Sequence, residues 1–455
     1  MDENFENLPA LPNGWIWSTA ESICKSVRDG THDTPKYHLD GIPLITSKNL
    51  SEKGLDFSNI KKISLEDHHS ISKRSKVENG DILFAMIGTI GYPVVVNSEI
   101  TFSIKNVGLF KKNDSFLHPL YLKYWLENKI LFAILESFHF IKGTTQKFIP
   151  LGALRTIPVP LSPFKEQHRI VSKLEELFTK LDVSVAELKK AKAQIKRYRQ
   201  SVLKSAFEGK LTNDNVKEGE LPEGWNRKSI KGITSILGDG LHGTPHYSDD
   251  GEFYFINGNN LSDGIIEIKT NTKRVTKEEF ERYKKTLNDR TIFVSINGTL
   301  GNTAFYNGEK VILGKSACYF NLIESVDKHF IRYCITTQRF MNYANDTATG
   351  STIKNVSLKS MREFEIPLPP TIEEQQAIVS EIERHFSVAD ATEKIIDQSL
   401  KQAERLRQSI LKDAFTGKLV PQDPNDEPAA KLLDRIKAER EKQQVKVSHS
   451  RGKRT

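Results

Sequence analysis

Two short stretches of this 455-residue chain carry polar groups suited to recognising a nucleic acid. Asp29-Gly30-Thr31-His32-Asp33-Thr34-Pro35-Lys36-Tyr37 and Asp239-Gly240-Leu241-His242-Gly243-Thr244-Pro245-His246-Tyr247 share one pattern, DG-x-H-x-TP-x-Y. The first displays Thr31, His32, Thr34, Lys36 and Tyr37; the second displays His242, Thr244, His246 and Tyr247. Hydroxyl, imidazole, ammonium and phenol groups donate to phosphate oxygens or reach base edges. Either histidine alone also fits an Asx-type turn with a core-packed ring. The recurrence of the whole loop, in a pair of segments that otherwise differ, favours recognition.

Further candidates recur in the same paired fashion. Thr144, Thr145, Gln146 and Lys147 follow Gly143, and Ser351, Thr352 and Lys354 follow Gly350. Free backbone N–H groups, hydroxyls and a lysine form a set that clamps phosphate. Lys48 and Asn49, and Asn259 and Asn260, follow strand-like runs, and an asparagine amide pairs well with adenine. Thr89 pairs with Thr299 in two Gly-Thr-x-Gly turns, and Lys105 pairs with Lys315. Trp15 and Trp225 read as core anchors rather than stacking platforms.

Catalytic constellations are absent from the sequence. Gly308 to Ser316 resembles a phosphate-binding loop but has five residues between its glycines, where four are needed. Pro369-Pro370 is followed by Thr371, so the Asn/Asp-Pro-Pro-aromatic run of an amino-methyltransferase is missing. No HExxH, GxSxG or carboxylate cluster stands out. Cys24, Cys318 and Cys334 form no CxxC or Cys/His spacing, which argues against structural zinc or a disulfide framework.

The elements that position these residues are duplicated. Leu11-Pro12-Asn13-Gly14-Trp15 and Leu221-Pro222-Glu223-Gly224-Trp225 open two halves 210 residues apart. Each half begins with short β-like runs, such as Asp81–Ile87 and Thr291–Ile296, then turns helical, and ends in a proline-bearing strand. A long heptad stretch follows each. Its seam runs Ile170, Leu174, Leu177, Leu181, Ser184, Leu188, Ala191, Ile195, Tyr198 and Val202 in the first copy. In the second it runs Ile378, Ile382, His385, Ala389, Thr392, Ile396, Ser399, Ala403, Leu406 and Ile410. Steps of 4 and 3 make a helix that packs along another helix. A helix of about 40 residues and about 60 Å cannot bury such a seam alone, so the two copies are expected to pair.

The reading is α+β: two repeated globular units and two long coiled-coil helices. Its boundaries are a first unit at 1–160, a central helix at 161–212, a second unit at 213–368 and a distal helix at 369–420. Residues 421–455 read as a turn-rich linker, a short charged helix over Ala429–Gln444 and a basic, disordered end. Lys plus Arg number 66 against 58 Asp plus Glu, a net charge of +8, which permits a nucleic-acid partner without requiring one. The acidic N-terminus lacks an apolar signal region and no run is long enough to span a membrane, so a cytoplasmic protein without a membrane partner is expected.

These parts, in this order, resemble the specificity (S) subunit of type I restriction–modification systems. The carrying residues are the paired LPxGW starts and DGxHxTP loops, PLSPFKEQHRIVSKLEELF with PLPPTIEEQQAIVSEIERHF, RQSVLKSAFEGKL with RQSILKDAFTGKL, and AAKLLDRIKAER near the end. The resemblance implies that each globular unit is a target recognition domain reading one half of a bipartite site in double-stranded DNA. It implies that the two helices pair antiparallel and carry two methyltransferase subunits, which nuclease–translocase subunits join for restriction. It further implies no catalysis and no cofactor in this chain, with S-adenosylmethionine, ATP and Mg in the partner subunits. Two rival readings are a DNA-binding scaffold of another phage-defence complex and an enzyme with an unrecognised nuclease site.

Overall fold

The computed structural model describes residues 8–213, 215–350 and 352–451, so Ser351 lies outside the described residues, as do the N-terminal seven and C-terminal four. The chain divides into two compact units, Met1–Glu187 with Ser399–Thr455, and Leu188–Gln398. Each contains one globular domain, the start of one long helix and the end of the other.

In the first unit, strand Ile16–Thr19 pairs antiparallel with the closing strand Pro158–Leu161. A four-stranded sheet follows in the order Val27–Asp29, Val107–Phe110, Ile82–Ala85, Gly91–Val95. A three-stranded sheet has the order Lys61–Ile63, Ile42–Ile45, Ser103–Ile104. The second unit repeats this topology. Asn226–Ser229 pairs with Glu365–Leu368, and the larger sheet runs Thr234–Asp239, Ala317–Leu322, Thr291–Ser295, Thr303–Phe305. Its smaller sheet runs Arg274–Val275, Phe253–Ile256, Val311–Leu313.

The four-stranded sheets are apolar on both faces because each divides two cores. Successive strand residues point to opposite sides. Ile82 and Phe84 therefore face the main core with Trp125 and Tyr121, while Leu83 faces a smaller one with Ile45 and Ile104. Ile292 and Val294 likewise face the main core of the second unit, and Phe293 faces the smaller one. This explains why these strands read as continuous apolar runs rather than alternating ones.

Both LPxGW tryptophans are buried, and each is tied to the first turns of the long helix that follows its domain. Trp15 Nε1 donates to Glu166 Oε2 at 3.0 Å, and Trp225 Nε1 donates to Glu374 Oε1 at 2.7 Å. The neighbouring glutamine is fully buried in both copies. Gln167 Oε1 accepts from the His118 amide at 3.0 Å, and its amide donates to the Ser162 carbonyl at 3.1 Å. Gln375 does the same with the Asp327 amide at 2.8 Å and the Ser325 carbonyl at 3.1 Å. A buried amide left unpaired is costly, so each Glu-Gln pair fixes how its helix leaves its domain.

The central helix spans Phe164–Phe207 and the distal helix Ile372–Phe415, 44 residues each. In the first unit Arg407 pairs with Asp182. In the second, Lys192 meets Asp397 at 2.6 Å and Arg199 meets Asp390 at 2.7 Å. Numbers rise along one helix as they fall along the other, so the pair is antiparallel. Surface pairs of this kind contribute about 0–1 kcal/mol each and mark register more than they stabilise.

The seam is deepest where each helix meets a domain. Ile170, Leu174, Ile378 and Ile382 are fully buried. Tyr198 and Leu406 occupy the same repeat position and stand 42% and 51% exposed, yet the Tyr198 hydroxyl lies 2.6 Å from His385 Nδ1, and Val202 at the expected end of the first seam is buried. An α-helix drifts about 20° per heptad against a 3.5-residue repeat. In the last turns the packing face widens to take in further residues. Phe207 packs on Phe330 with ring centroids 5.0 Å apart, and Phe415 packs on Tyr121 at 5.1 Å and Trp125 at 5.2 Å. Each helix then stops at a glycine in the left-handed region, Gly209 (φ 77°) and Gly417 (φ 70°). A Cβ there would lie 2.2 Å from Pro222 or 2.4 Å from Pro12. The helix stop and the LPxGW proline thus need each other.

The turn-rich linker and the helix start at Ala429 lie where expected, and residues 426–440 are in addition docked on the first unit. The helix runs Ala429–Arg451, beyond the expected Gln444 and into the stretch read as disordered. Ala429, Leu432 and Ile436 are buried in the first unit's main core. Arg169 meets Asp426 at 2.6 Å, the Ala429 amide donates to the Gly14 carbonyl at 2.9 Å, and Arg440 donates to the Glu21 and Cys24 carbonyls. Apolar positions 429, 432, 433 and 436 have helical spacing, which the high charge of the segment hid. Among the described residues, no helix is long and apolar enough to cross a membrane.

Candidate nucleic-acid interface

The DG-x-H turn is built by a close approach of two chain segments. A Cβ on Gly30 would lie 2.3 Å from the Ile104 carbonyl oxygen, so only glycine lets the segments touch. Thr31 then bridges Lys105, with its amide donating to Ile104 O at 3.1 Å. Gly240 is in the same position, 2.2 Å from the Gly314 oxygen, and Leu241 bridges Gly314.

The histidines brace these turns. Asp29 is buried, and its carboxylate accepts from His32 Nε2 at 2.8 Å and from Arg74. His32 Nδ1 lies 3.0 Å from Asn106 Oδ1, so both ring nitrogens are engaged. His242 Nε2 lies 2.5 Å from Asp239 Oδ2. With the rings so used, Thr34, Lys36, Tyr37, Thr244, His246 and Tyr247 are left exposed at the loop surface. Lys105 donates to Thr34, and the His246 amide donates to buried Glu279 at 3.1 Å.

Asn49 and Asn260 are not free to read bases. Each closes a short 3-10 turn with its own amide. Asn49 Oδ1 accepts from the Thr46 amide at 2.9 Å, and its Nδ2 donates to Asp56 O at 3.1 Å. Asn260 Oδ1 accepts from the Asn257 amide at 3.0 Å, and its Nδ2 donates to Glu267 O at 2.9 Å. The strand-then-Asn signal was the signature of a cap. Lys48 and Asn259, one residue earlier, are exposed.

The remaining candidates come together across long sequence separations. Gly88 donates its amide to Lys147 O at 2.8 Å, and Gly298 donates to Lys354 O at 3.0 Å. This places exposed Thr89 beside Thr144–Lys147, and Thr299 beside Thr352 and Lys354. Ser47 Oγ donates to Asn106 O at 3.2 Å, and Lys105 donates its amide to Ile45 O at 2.8 Å. In the second unit, exposed Lys315 lies between Gly314, whose amide donates to Ile256 O at 2.8 Å, and Ser316, whose Oγ accepts from Gly258 N at 2.8 Å. Ile296 donates to Ser316 O at 2.9 Å. In each unit four connections therefore join in one order: the DG-x-H loop, the Lys105 or Lys315 turn, the 3-10 turn, and the Gly-Thr turn with its polar loop. Their exposed edge carries hydroxyls and lysines.

The first unit holds a cleft of about 530 Å³ on this edge, lined by Lys48, Lys53, Glu52, Thr89 and Tyr92 among others. Tyr92 was not singled out from sequence. It is 38% exposed and has φ 47°. A bulky residue before proline ordinarily takes extended backbone, so this conformation is an outlier that presents the ring to solvent. Its place just after Gly88-Thr89-Ile90-Gly91 was the available signal.

The three cysteines are buried, and burial pushes the Cys318 and Cys334 thiols up to about 12, far from a reactive thiolate. Among the described residues, no group of three or more His, Cys, Asp or Glu side chains is placed to hold a metal ion.

A duplicated α+β unit with a polar loop edge, set on a pair of antiparallel helices, defines a two-domain DNA-recognition protein. Residues 14–195 and 222–402 both match the type I restriction modification DNA specificity domain, and the chain belongs to that family. It is the specificity subunit of a type I restriction–modification system, with two repeated target recognition domains. It is 24% identical over 481 residues to the StySPI specificity subunit of Salmonella potsdam, covering 95% of this chain and 97% of the relative. It is 28% identical over 324 residues to the EcoBI specificity subunit of Escherichia coli, covering 66% and 68%. The fold is similar to that of the HsdS subunit from Thermoanaerobacter tengcongensis, with TM-score 0.55 and 19% identity over 91% of this chain and 99% of that one. A chain from a type I R-M system solved for its complex assembly and conformational transition gives TM-score 0.66 and 18% identity, covering 90% and 100%.

Proposed function

We propose that each unit reads one half of a bipartite site in double-stranded DNA through its loop edge. The observation that carries this reading is the convergence of the same four connections, in the same order, in both units. Loops on a rigid scaffold are where recognition residues ordinarily sit. The frame is common, so the half-sites differ through exposed residues that differ between the units, such as Lys48 and Tyr92 in the first and Asn259 in the second. The long helices carry two methyltransferase subunits, and nuclease–translocase subunits join them for restriction. Exposed apolar side chains on the helices support this docking: Val183 and Leu406 in the first unit, Val388 and Ile395 in the second. This chain supplies no catalysis; S-adenosylmethionine, ATP and Mg belong to the partners, and the complex works in the cytoplasm.

The test is co-expression with a type I methyltransferase subunit, purification of the complex and mapping of genomic methylation. The expected result is one split, asymmetric methylated sequence that disappears without this chain. Methyl transfer or cleavage by the chain alone would contradict the reading.

A further inference from the structure

Each loop edge continues past the DG-x-H turn to an exposed tyrosine with a lysine over its ring. Lys61 Nζ lies 5.9 Å from the Tyr37 ring centroid, and Lys273 Nζ lies 5.8 Å from that of Tyr247. The rings are 44% and 46% exposed. The backbone beside them is also matched. His38 donates to Lys62 O at 2.9 Å, and Ser248 donates to Arg274 O at 3.0 Å. Sequence comparison missed the lysines because the repeat slips here by two residues: Asn271, not Lys273, stands 210 residues after Lys61.

We propose that Lys61–Tyr37 and Lys273–Tyr247 are matching phosphate clamps, one per unit, gripping the DNA backbone whatever the base sequence. The proposal rests on the reading that the loop edges face DNA, and adds which contacts position rather than specify. A carboxylate partner would cancel an ammonium charge. A ring face holds the ammonium by its quadrupole and leaves the charge free for an anion. Among the described residues neither lysine is in an ion pair, whereas the adjacent Lys62 faces Asp40 at 3.7 Å. The phenol hydroxyl adds a second donor, and the ring narrows the choices of a side chain that is otherwise very free to rotate. The two units carry different exposed residues in their 3-10 turns, Lys48 in one and Asn259 in the other. A contact common to both cannot distinguish two half-sites, and the phosphate is the one target that every half-site presents alike.

The test uses Lys61→Ala, Lys273→Ala and the double variant in the complex with the methyltransferase. Binding is measured over a salt series to a duplex bearing the mapped methylated sequence and to a scrambled duplex. Each single variant is expected to weaken both duplexes alike and to lower the slope of log K against log salt by about 1, the double by about 2, with the methylated sequence unchanged. An unchanged slope overturns the clamp. So does a methylated sequence altered at one position, which would make the lysine a base reader. The two levels separate cleanly. A wild-type complex that does not prefer its own site undermines DNA reading as a whole, whereas normal preference with an unchanged slope in the variants removes only the clamp. Both lysines are exposed, and melting curves that match wild type establish that the variants fold.

Discussion

The two recognition units agree in what is buried and disagree in what is exposed. Both tie an indole N–H to a glutamate and both bury a glutamine under a helix N-terminus; both also brace a glycine turn with an Asp–His pair whose histidine is exposed. Buried polar groups must be paired, and changing one partner strands the other, so these pairs vary only together. The exposed positions carry no such obligation. Tyr92, exposed on the edge of the first unit's cleft, is replaced in the second unit by half-buried Asn302, whose backbone N–H donates to Ser295 Oγ at 2.8 Å. Asp29 is buried and holds Arg74 as well as His32, whereas the Asp239 side chain is 28% exposed. The first unit alone incorporates the C-terminal helix into its core. A duplicated frame with independent surfaces is what a protein needs in order to read two different half-sites.

Breaking the shared frame has the largest expected effect. Phe207→Ala and Phe415→Ala each empty a packed aromatic site, and each is expected to cost about 3–5 kcal/mol. Hydrogen exchange should place the loss in the second unit for Phe207 and in the first for Phe415. Loss spread over both would mean that the units do not fold independently.

The difference itself is tested at Tyr92. Tyr92→Ala is expected to relax the methylated sequence at the half-site read by the first unit, with about 1–3 kcal/mol of discrimination lost at one position and the other half-site intact. Methylation mapping reads this directly. A uniform drop in affinity instead would place Tyr92 among the backbone contacts.

Lys147→Ala probes the polar loop. It should weaken binding across sequences and reduce the salt slope by about 1. Lys354, whose ammonium donates to Asn345 Oδ1 at 2.5 Å, should show the same slope change in the other unit. A changed base preference at either position would make that lysine a reader.

The smallest effect concerns Glu166. Burial, with help from Asp426, raises its pKa above the usual carboxylate range, against the Trp15 bond and Arg169, which lower it. A raised carboxyl favours the protonated form in the fold. Its contribution to stability is therefore greatest at low pH and is lost as pH rises through the unfolded pKa towards the folded one. Glu166→Gln, which keeps an acceptor for Trp15, should remove that slope.

Much of this was legible in the sequence, and the omissions have physical causes. The duplication, the two helices and their pairing followed from heptad spacing and repeated motifs. The DG-x-H loop was visible as a unit, but not the division of labour within it, because Asn106 meets His32, and Arg74 meets Asp29, only through the fold. Asn49 and Asn260 looked like base readers because a capping asparagine and a recognition asparagine are identical in one dimension. The docking of the C-terminal helix was not legible because its few apolar residues are covered by a domain more than 400 residues away in sequence, beside contacts such as Arg440 to Glu21. Lys61 and Lys273 were hidden by a two-residue slip in the repeat.

The central claim is that each unit reads its half-site independently. The direct measurement is an exchange of residues 1–160 for the first unit of another family member, followed by mapping of genomic methylation in the active complex. The account predicts a new first half-site, with the second half-site retained. A folded, active chimera in which both halves change, or neither does, would contradict it.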